Sequence, residues 1–149
     1  MEQNHKLTID IFGTAEYATD EVPALMIELL KKNPNFSAVI TDPDNVFLIG
    51  NVNQKKIAVI CGKESYYADF VRMVDNALNE ACDLIFASTP HHADKYDYLK
   101  RKVTGQGHYL IETSPLFMKI APGHTQDPAL QNLLTEKYAN LLINLIHQI

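Results

Sequence analysis

One short stretch has the spacing of a phosphate-binding loop but lacks the residues that give such a loop its chemistry. A working loop follows a strand and has the pattern GxxxxGK followed by Ser or Thr. Its backbone N–H groups surround the phosphates, its lysine contacts them, and its hydroxyl binds magnesium. Here the first glycine is Gly13, and the later positions fall on Ala18, Thr19 and Asp20. The pattern predicts a strand-to-helix turn that keeps the phosphate-loop geometry and has lost its cation.

Histidines leave a second chemistry open. His91 or His92 could transfer protons in an enzyme that acts on a nucleotide or a phosphorylated metabolite. A metal site would join this pair to Asp94, with His108 and His124 approaching from other segments. No HExxH or paired CxxC spacing supports such a site, so we expect no bound metal.

Other reactive pairs have no spacing that selects them. A nucleophile and base could come from Cys61 with a histidine, or from Ser88 or Ser114 with His91, but no GxSxG turn is present. Glu64 and Glu112 could form a carboxylate pair, and both are equally consistent with ordinary surface positions.

The elements that must position these residues alternate along the chain. Apolar, strand-like runs cover residues 7–12, 37–41, 46–52, 56–61, 82–88 and 108–112, and helical spacing covers 22–32, 67–80, 93–103 and 128–149. Strands followed by helices predict one α/β domain over residues 1–149, with a tail at 1–6 and a mostly parallel sheet between two helical layers. The turn-rich residues 42–45 predict a hairpin, and Asp20 is placed to cap the first helix.

Composition limits the partners. The net charge of −5 argues against non-specific binding to nucleic acid or to an anionic membrane. No signal peptide or membrane-spanning run is visible, so we expect a cytoplasmic protein. Cys61 and Cys82 lie in apolar runs and predict no disulfide framework. The apolar band of the C-terminal helix predicts packing on the sheet, and a homo-oligomer formed through this helix stays open as an alternative.

Two segments resemble a known family. The sequences KIAVICG at 56–62 and ACDLIFAS at 81–88, in this order of elements, resemble small P-loop NTPase-like proteins of bacteria and their mobile elements. The resemblance covers roughly residues 7–112. It implies a P-loop NTPase-like fold and a nucleotide bound on the loop at 13–20.

The chain departs from this family where the chemistry would be carried out. Thr19 replaces the loop lysine, Asp20 the metal-binding hydroxyl, Lys63 the acidic residue after the central strand, and Thr89 the arginine of a later turn. Phosphoryl transfer depends on positioning and on positive charge, so this resemblance implies a degenerate module that does not hydrolyse ATP.

We therefore predict a regulatory module that binds a nucleotide, a phosphate or a protein partner. The candidate ligand site is Gly13, Thr14, Thr19, Lys63 and Thr89. Lys63 is the one cation of this set, and we hypothesise that it reaches toward the altered loop and replaces the missing charge.

Overall fold

The computed structural model describes residues 6–13, 20–44, 46–90, 93–113 and 128–148. Within these ranges the chain forms six strands and four helices. The strands are β1 (Leu7–Gly13), β2 (Phe36–Thr41), β3 (Phe47–Val52), β4 (Lys55–Ile60), β5 (Leu84–Pro90) and β6 (Tyr109–Thr113). The helices are α1 (Glu21–Lys31), α2 (Tyr67–Asn79), α3 (Asp94–Gly105) and α4 (Pro128–Gln148).

All six strands belong to one sheet in the order β2-β3-β4-β5-β1-β6. Strands β4, β5, β1 and β6 are parallel, whereas β2, β3 and β4 pair antiparallel. The prediction of an α/β fold with a mostly parallel sheet is therefore confirmed, and so is the hairpin of β2 and β3. Asn53 and Gln54 join β3 to β4 with φ values of 50° and 67°, the backbone that a two-residue hairpin turn requires.

Helices cover both faces of the sheet. Helices α1 and α4 pack on one face, which we call the first face, against strand residues such as Ile9, Ile11 and Phe86. Helices α2 and α3 pack on the opposite, second face against Ile85 and Ala87. Because side chains alternate along a strand, residues 88 and 89 of β5 also point to opposite faces. The predicted arrangement of a sheet between two helical layers is confirmed.

A crevice follows from the way the chain leaves two neighbouring strands. From β1 the chain continues to α1 on the first face, and from the adjacent β5 it continues to α3 on the second face. Such a change of direction opens a crevice at the carboxyl ends of the two strands, which is where open α/β sheets bind ligands. Gly13 and Pro90 are paired at this end.

Two expectations need adjustment. Strand β5 runs to Pro90, so Thr89 lies inside a strand and not on a turn, because its backbone continues the parallel pairing with Phe12. The apolar band of α4 is only partly buried: Leu142 and Ile146 are in the core, whereas Leu133 and Leu141 are exposed. No helix in the described part is long and apolar enough to cross a membrane.

Candidate ligand-binding site

The predicted site residues lie around the crevice as far as the structure describes them. Gly13 ends β1, Thr89 lies near the end of β5, and Lys63 follows β4. Thr14 and Thr19 fall outside the described residues. The histidines at 91, 92 and 124 and the serine at 114 also lie outside them.

Asp20 organises the first face of this edge. It occupies the N-cap position of α1, yet its side chain makes no capping hydrogen bond to that helix. Its carboxylate instead accepts hydrogen bonds from the backbone N–H groups of Lys63 at 3.0 Å and Glu64 at 2.9 Å, and from the hydroxyl of Ser88. The prediction that Asp20 caps its own helix is wrong for the side chain, because the turn after β4 offers it a richer set of donors.

The turn at 62–65 is also held from its other side. Lys95, in the first turn of α3, donates from Nζ to the carbonyl oxygens of Lys63, at 2.9 Å, and Ser65. Desolvation lowers the pKa of Lys95, and the nearby acids Asp20 and Glu64 oppose that shift. Lys95 of α3 therefore brings a positive charge close enough to interact with Asp20. Sequence reasoning missed Lys95 because nothing in its spacing links it to the turn.

Gly62 allows the close approach that this network needs. Its N–H donates to Ser88 Oγ at 2.9 Å. A Cβ at this position would lie 2.3 Å from the Ser88 carbonyl oxygen and 2.5 Å from the ring of Phe70. Only a glycine therefore lets the turn lie against β5 and α2 at once. We call Asp20, Gly62, Lys63, Glu64 and Ser88 the first-face network.

On the second face, Asp10 and Thr89 form a buried pair. Both side chains have no exposed surface, and the Thr89 hydroxyl donates to Asp10 Oδ1 at 2.6 Å. The other carboxyl oxygen, Oδ2, is buried and has no hydrogen-bond partner among the described residues. Buried polar atoms of proteins nearly always have partners, so this oxygen requires an explanation.

Electrostatics sets Asp10 apart from ordinary carboxyl groups. Burial raises its pKa from 3.8 to about 7, against the opposing effect of the Thr89 hydrogen bond, and the charge of Glu112 raises it further. Glu112 lies directly across from Asp10 on β6 and accepts a hydrogen bond from the hydroxyl of Tyr96 on α3. We call Asp10, Thr89, Glu112 and Tyr96 the second-face cluster.

Sequence reasoning passed over Asp10, although a signal was present. Asp10 is the charged residue inside the apolar run that predicts β1. A charged side chain is costly to bury without partners in a strand that has neighbouring strands on both sides. A charged residue inside an otherwise apolar strand is therefore the signal that singles out Asp10.

Of the other named candidate pairs, only Glu64 with Glu112 has both members among the described residues. Glu64 follows β4 and Glu112 lies in β6, with β5 and β1 between the two strands, so these two carboxylates do not form a pair. Burial raises the pKa of the Cys61 thiol to about 12, which keeps it protonated and unsuited to nucleophilic attack. No group of three or more His, Cys, Asp or Glu side chains in the described ranges could hold a metal ion.

Comparisons with known proteins add no relative to this picture. No family model matches the chain, and neither a curated protein nor a solved structure matches it significantly. The function must therefore be argued from the geometry of the crevice.

Proposed function

We propose that the chain is a P-loop NTPase-like binding module that recognises a ligand or a protein partner at the crevice and does not hydrolyse ATP. The observation that carries this proposal is the position of the Asp20 carboxylate. It lies on two backbone N–H groups and a hydroxyl, donors of the kind that phosphate sites offer to an anion.

An internal carboxylate on these donors acts against a triphosphate in two ways. It uses the N–H groups of Lys63 and Glu64, and it adds negative charge where phosphoryl transfer needs positive charge. Lys95 cannot replace the missing loop lysine without giving up the carbonyl oxygens that it binds. Asp10 and Glu112 make the same edge more acidic still.

Turnover and anion binding test the proposal separately. Purified protein is expected to release no phosphate from ATP above the rate of a protein-free control, with or without magnesium. Magnesium-dependent turnover above that control would contradict the proposal, and its loss in Asp20→Asn would place the activity at this edge of the sheet.

Removing the carboxylate offers a sharper second measurement. If Asp20 occupies an anion-like position, inorganic phosphate should raise the unfolding midpoint of Asp20→Ala more than that of the unaltered protein, because a ligand that binds only the folded state stabilises it. Asp20→Asn, which keeps one acceptor oxygen, should respond less. Glu21→Ala removes an exposed acid from the next position and serves as the matched control. Equal responses of all four proteins to phosphate would contradict the assignment.

A second candidate function is an interaction domain that pairs through α4. It is favoured by the exposure of Leu133 and Leu141, at 48% and 56% of their surface. Light scattering should then report a dimer that Leu141→Glu converts to a monomer, and a monomer for the unaltered chain would exclude it.

A further inference from the structure

The second-face cluster contains an acid pair that the binding proposal leaves unexplained. Asp10 on β1 and Glu112 on β6 are register partners, so their side chains leave neighbouring strands, about 4.8 Å apart, on the same face. Asp10 is fully buried and Glu112 is exposed. The pair therefore extends from the interior of the protein to its surface.

Among the described residues, each acid accepts a hydrogen bond from one neutral side-chain donor. Thr89 donates to Asp10 Oδ1 at 2.6 Å, and the Tyr96 hydroxyl donates to Glu112 Oε1. Asp10 Oδ2 has no partner in the described part of the chain. These donors orient the two carboxyl groups but carry no positive charge, and no ion pair joins either acid to a described residue.

We propose that the Asp10–Glu112 pair binds an organic cation, a primary ammonium or guanidinium group carried by the ligand or partner. This inference rests on the proposed function in one respect, since it names the chemistry of what the crevice recognises. Such a group has several N–H donors, so it can hydrogen-bond Asp10 Oδ2 and Glu112 together, and its charge relieves the repulsion between the two acids.

The composition of the pair disfavours the other ligand classes. A phosphate would meet two acids and no cation from the cluster. A divalent metal generally takes four to eight ligands, and the described residues offer no group of three suitable side chains. A neutral diol could donate hydrogen bonds, but it would not compensate charge.

Titration by small probes tests this inference on the full chain. Agmatine carries both cationic groups, putrescine carries two ammonium groups, and 1,4-butanediol is the neutral counterpart of putrescine. At constant ionic strength, calorimetry should detect binding of agmatine and putrescine and none of butanediol. Asp10→Asn and Glu112→Gln should each weaken cation binding at least tenfold, whereas Glu136→Gln, which removes an exposed acid of α4, should leave it unchanged.

Binding should also depend on pH, because the cation favours ionised Asp10. Among the residues that the structure describes, the titratable groups facing Asp10 are Glu112 on β6 and, beyond it, Tyr96 on α3. The pKa of Asp10 is raised to about 7, so affinity should rise between pH 5.5 and 7, by up to about tenfold per pH unit, and level off above that. Asp10→Asn should lack this dependence.

The contradicting results are specific. Equal agmatine binding by Asp10→Asn and the unaltered protein, tighter binding of Mg²⁺ or phosphate than of agmatine, or absence of any cation binding would each overturn the cation site. None of these results would bear on whether the protein hydrolyses ATP, so the proposed function could still hold. Conversely, ATP turnover that depends on Asp20 would overturn the proposed function while the agmatine titration still reported on Asp10 directly.

Discussion

The two faces of the crevice use the same pair of groups, a carboxylate and a hydroxyl, with opposite results. On the first face, Asp20 meets Ser88, and the turn at 62–65 supplies two further N–H donors. On the second face, Asp10 meets Thr89, the next residue of β5, and one carboxyl oxygen has no partner among the described residues.

This difference shows that residue type alone does not decide what a carboxylate does. Hydrogen bonds from backbone N–H groups and from Ser88 make Asp20 a structural link between three elements. These are α1, the turn that follows β4, and strand β5. Burial beside a second acid instead raises the pKa of Asp10 to about 7, which places its charge change near neutral pH. On the first face both carboxylate oxygens accept hydrogen bonds from the chain itself, whereas on the second face one carboxyl oxygen has no partner among the described residues.

The largest effect on the free energy of unfolding should come from adding a side chain at Gly62, where the turn after β4 packs closely against β5. Gly62→Ala places a Cβ 2.3 Å from a backbone oxygen, so the turn must move away from β5. We expect a loss of about 3 kcal/mol in the free energy of unfolding. Gly105→Ala, where an added Cβ meets nothing within 4 Å, should be neutral or slightly stabilising. Urea unfolding of both variants measures the contrast, and similar losses in the two would refute the packing argument.

Removing the Asp20 carboxylate should have the next largest effect on the free energy of unfolding. Asp20→Ala leaves the N–H groups of Lys63 and Glu64 without their acceptor, and because Glu64 is exposed, water can replace part of the loss. We expect a cost of about 2 kcal/mol. Thermal unfolding beside Glu21→Ala gives the comparison. A cost no greater than that of the control would mean that the first face is not closed by Asp20.

On the second face the corresponding substitution should act in the opposite direction. The folded state raises the pKa of Asp10 from 3.8 to about 7, so it retains a proton that the unfolded chain loses over this range. Asp10 therefore lowers stability as pH rises from about 4 to 7, fully so above 7.

Asp10→Asn removes this cost and keeps an acceptor for Thr89. It should stabilise the protein by about 1 kcal/mol at pH 8, because the cost of the unpartnered new amide offsets most of the ionisation cost that is removed. Toward pH 4, where Asp10 is neutral, only the amide cost remains and the gain should turn into a loss. Denaturant midpoints across this range supply the measurement. A gain independent of pH would show that ionisation of Asp10 is not its source.

The smallest effect should follow from removing the second acid. Glu112→Gln takes away a like charge next to Asp10, and because Glu112 is exposed, solvent screens most of the interaction. We expect a stabilisation of about 0.5 kcal/mol at pH 8 and low salt. High salt should reduce this gain, and a gain that salt leaves unchanged would point to a cause other than charge.

Much of the fold was predictable, because its elements carry local signals. Helical spacing located α2 within a residue of its observed end. The continuous apolar run at 57–61 identified β4 as a strand covered on both faces. The predicted end of β5 was wrong, because the local sequence pattern gives no signal there. The polar Thr89 suggested a turn, yet its hydroxyl is buried against Asp10 and the strand continues to Pro90.

For the candidate site, the sequence predicted only the edge of the sheet at which its residues lie. Alternation of strands and helices places ligands at the carboxyl edge, and Lys63 and Thr89 do lie there. The partners could not be read from the sequence. Asp20 and Glu64 are 44 positions apart, Asp10 and Thr89 are 79 apart, and no local pattern connects them.

The sequence by itself determined the alternation of buried strands and amphipathic helices, because side-chain periodicity acts over a few neighbouring residues. Only the tertiary structure decided which carboxylate has both oxygens hydrogen-bonded and which keeps a buried oxygen without a partner among the described residues. Strand order brought β1 between β5 and β6, and this order placed Asp10 beside Glu112 and Asp20 against the turn after β4. Hydrogen bonding and desolvation then set two different roles for the same side chain, since both depend on what surrounds a group in space.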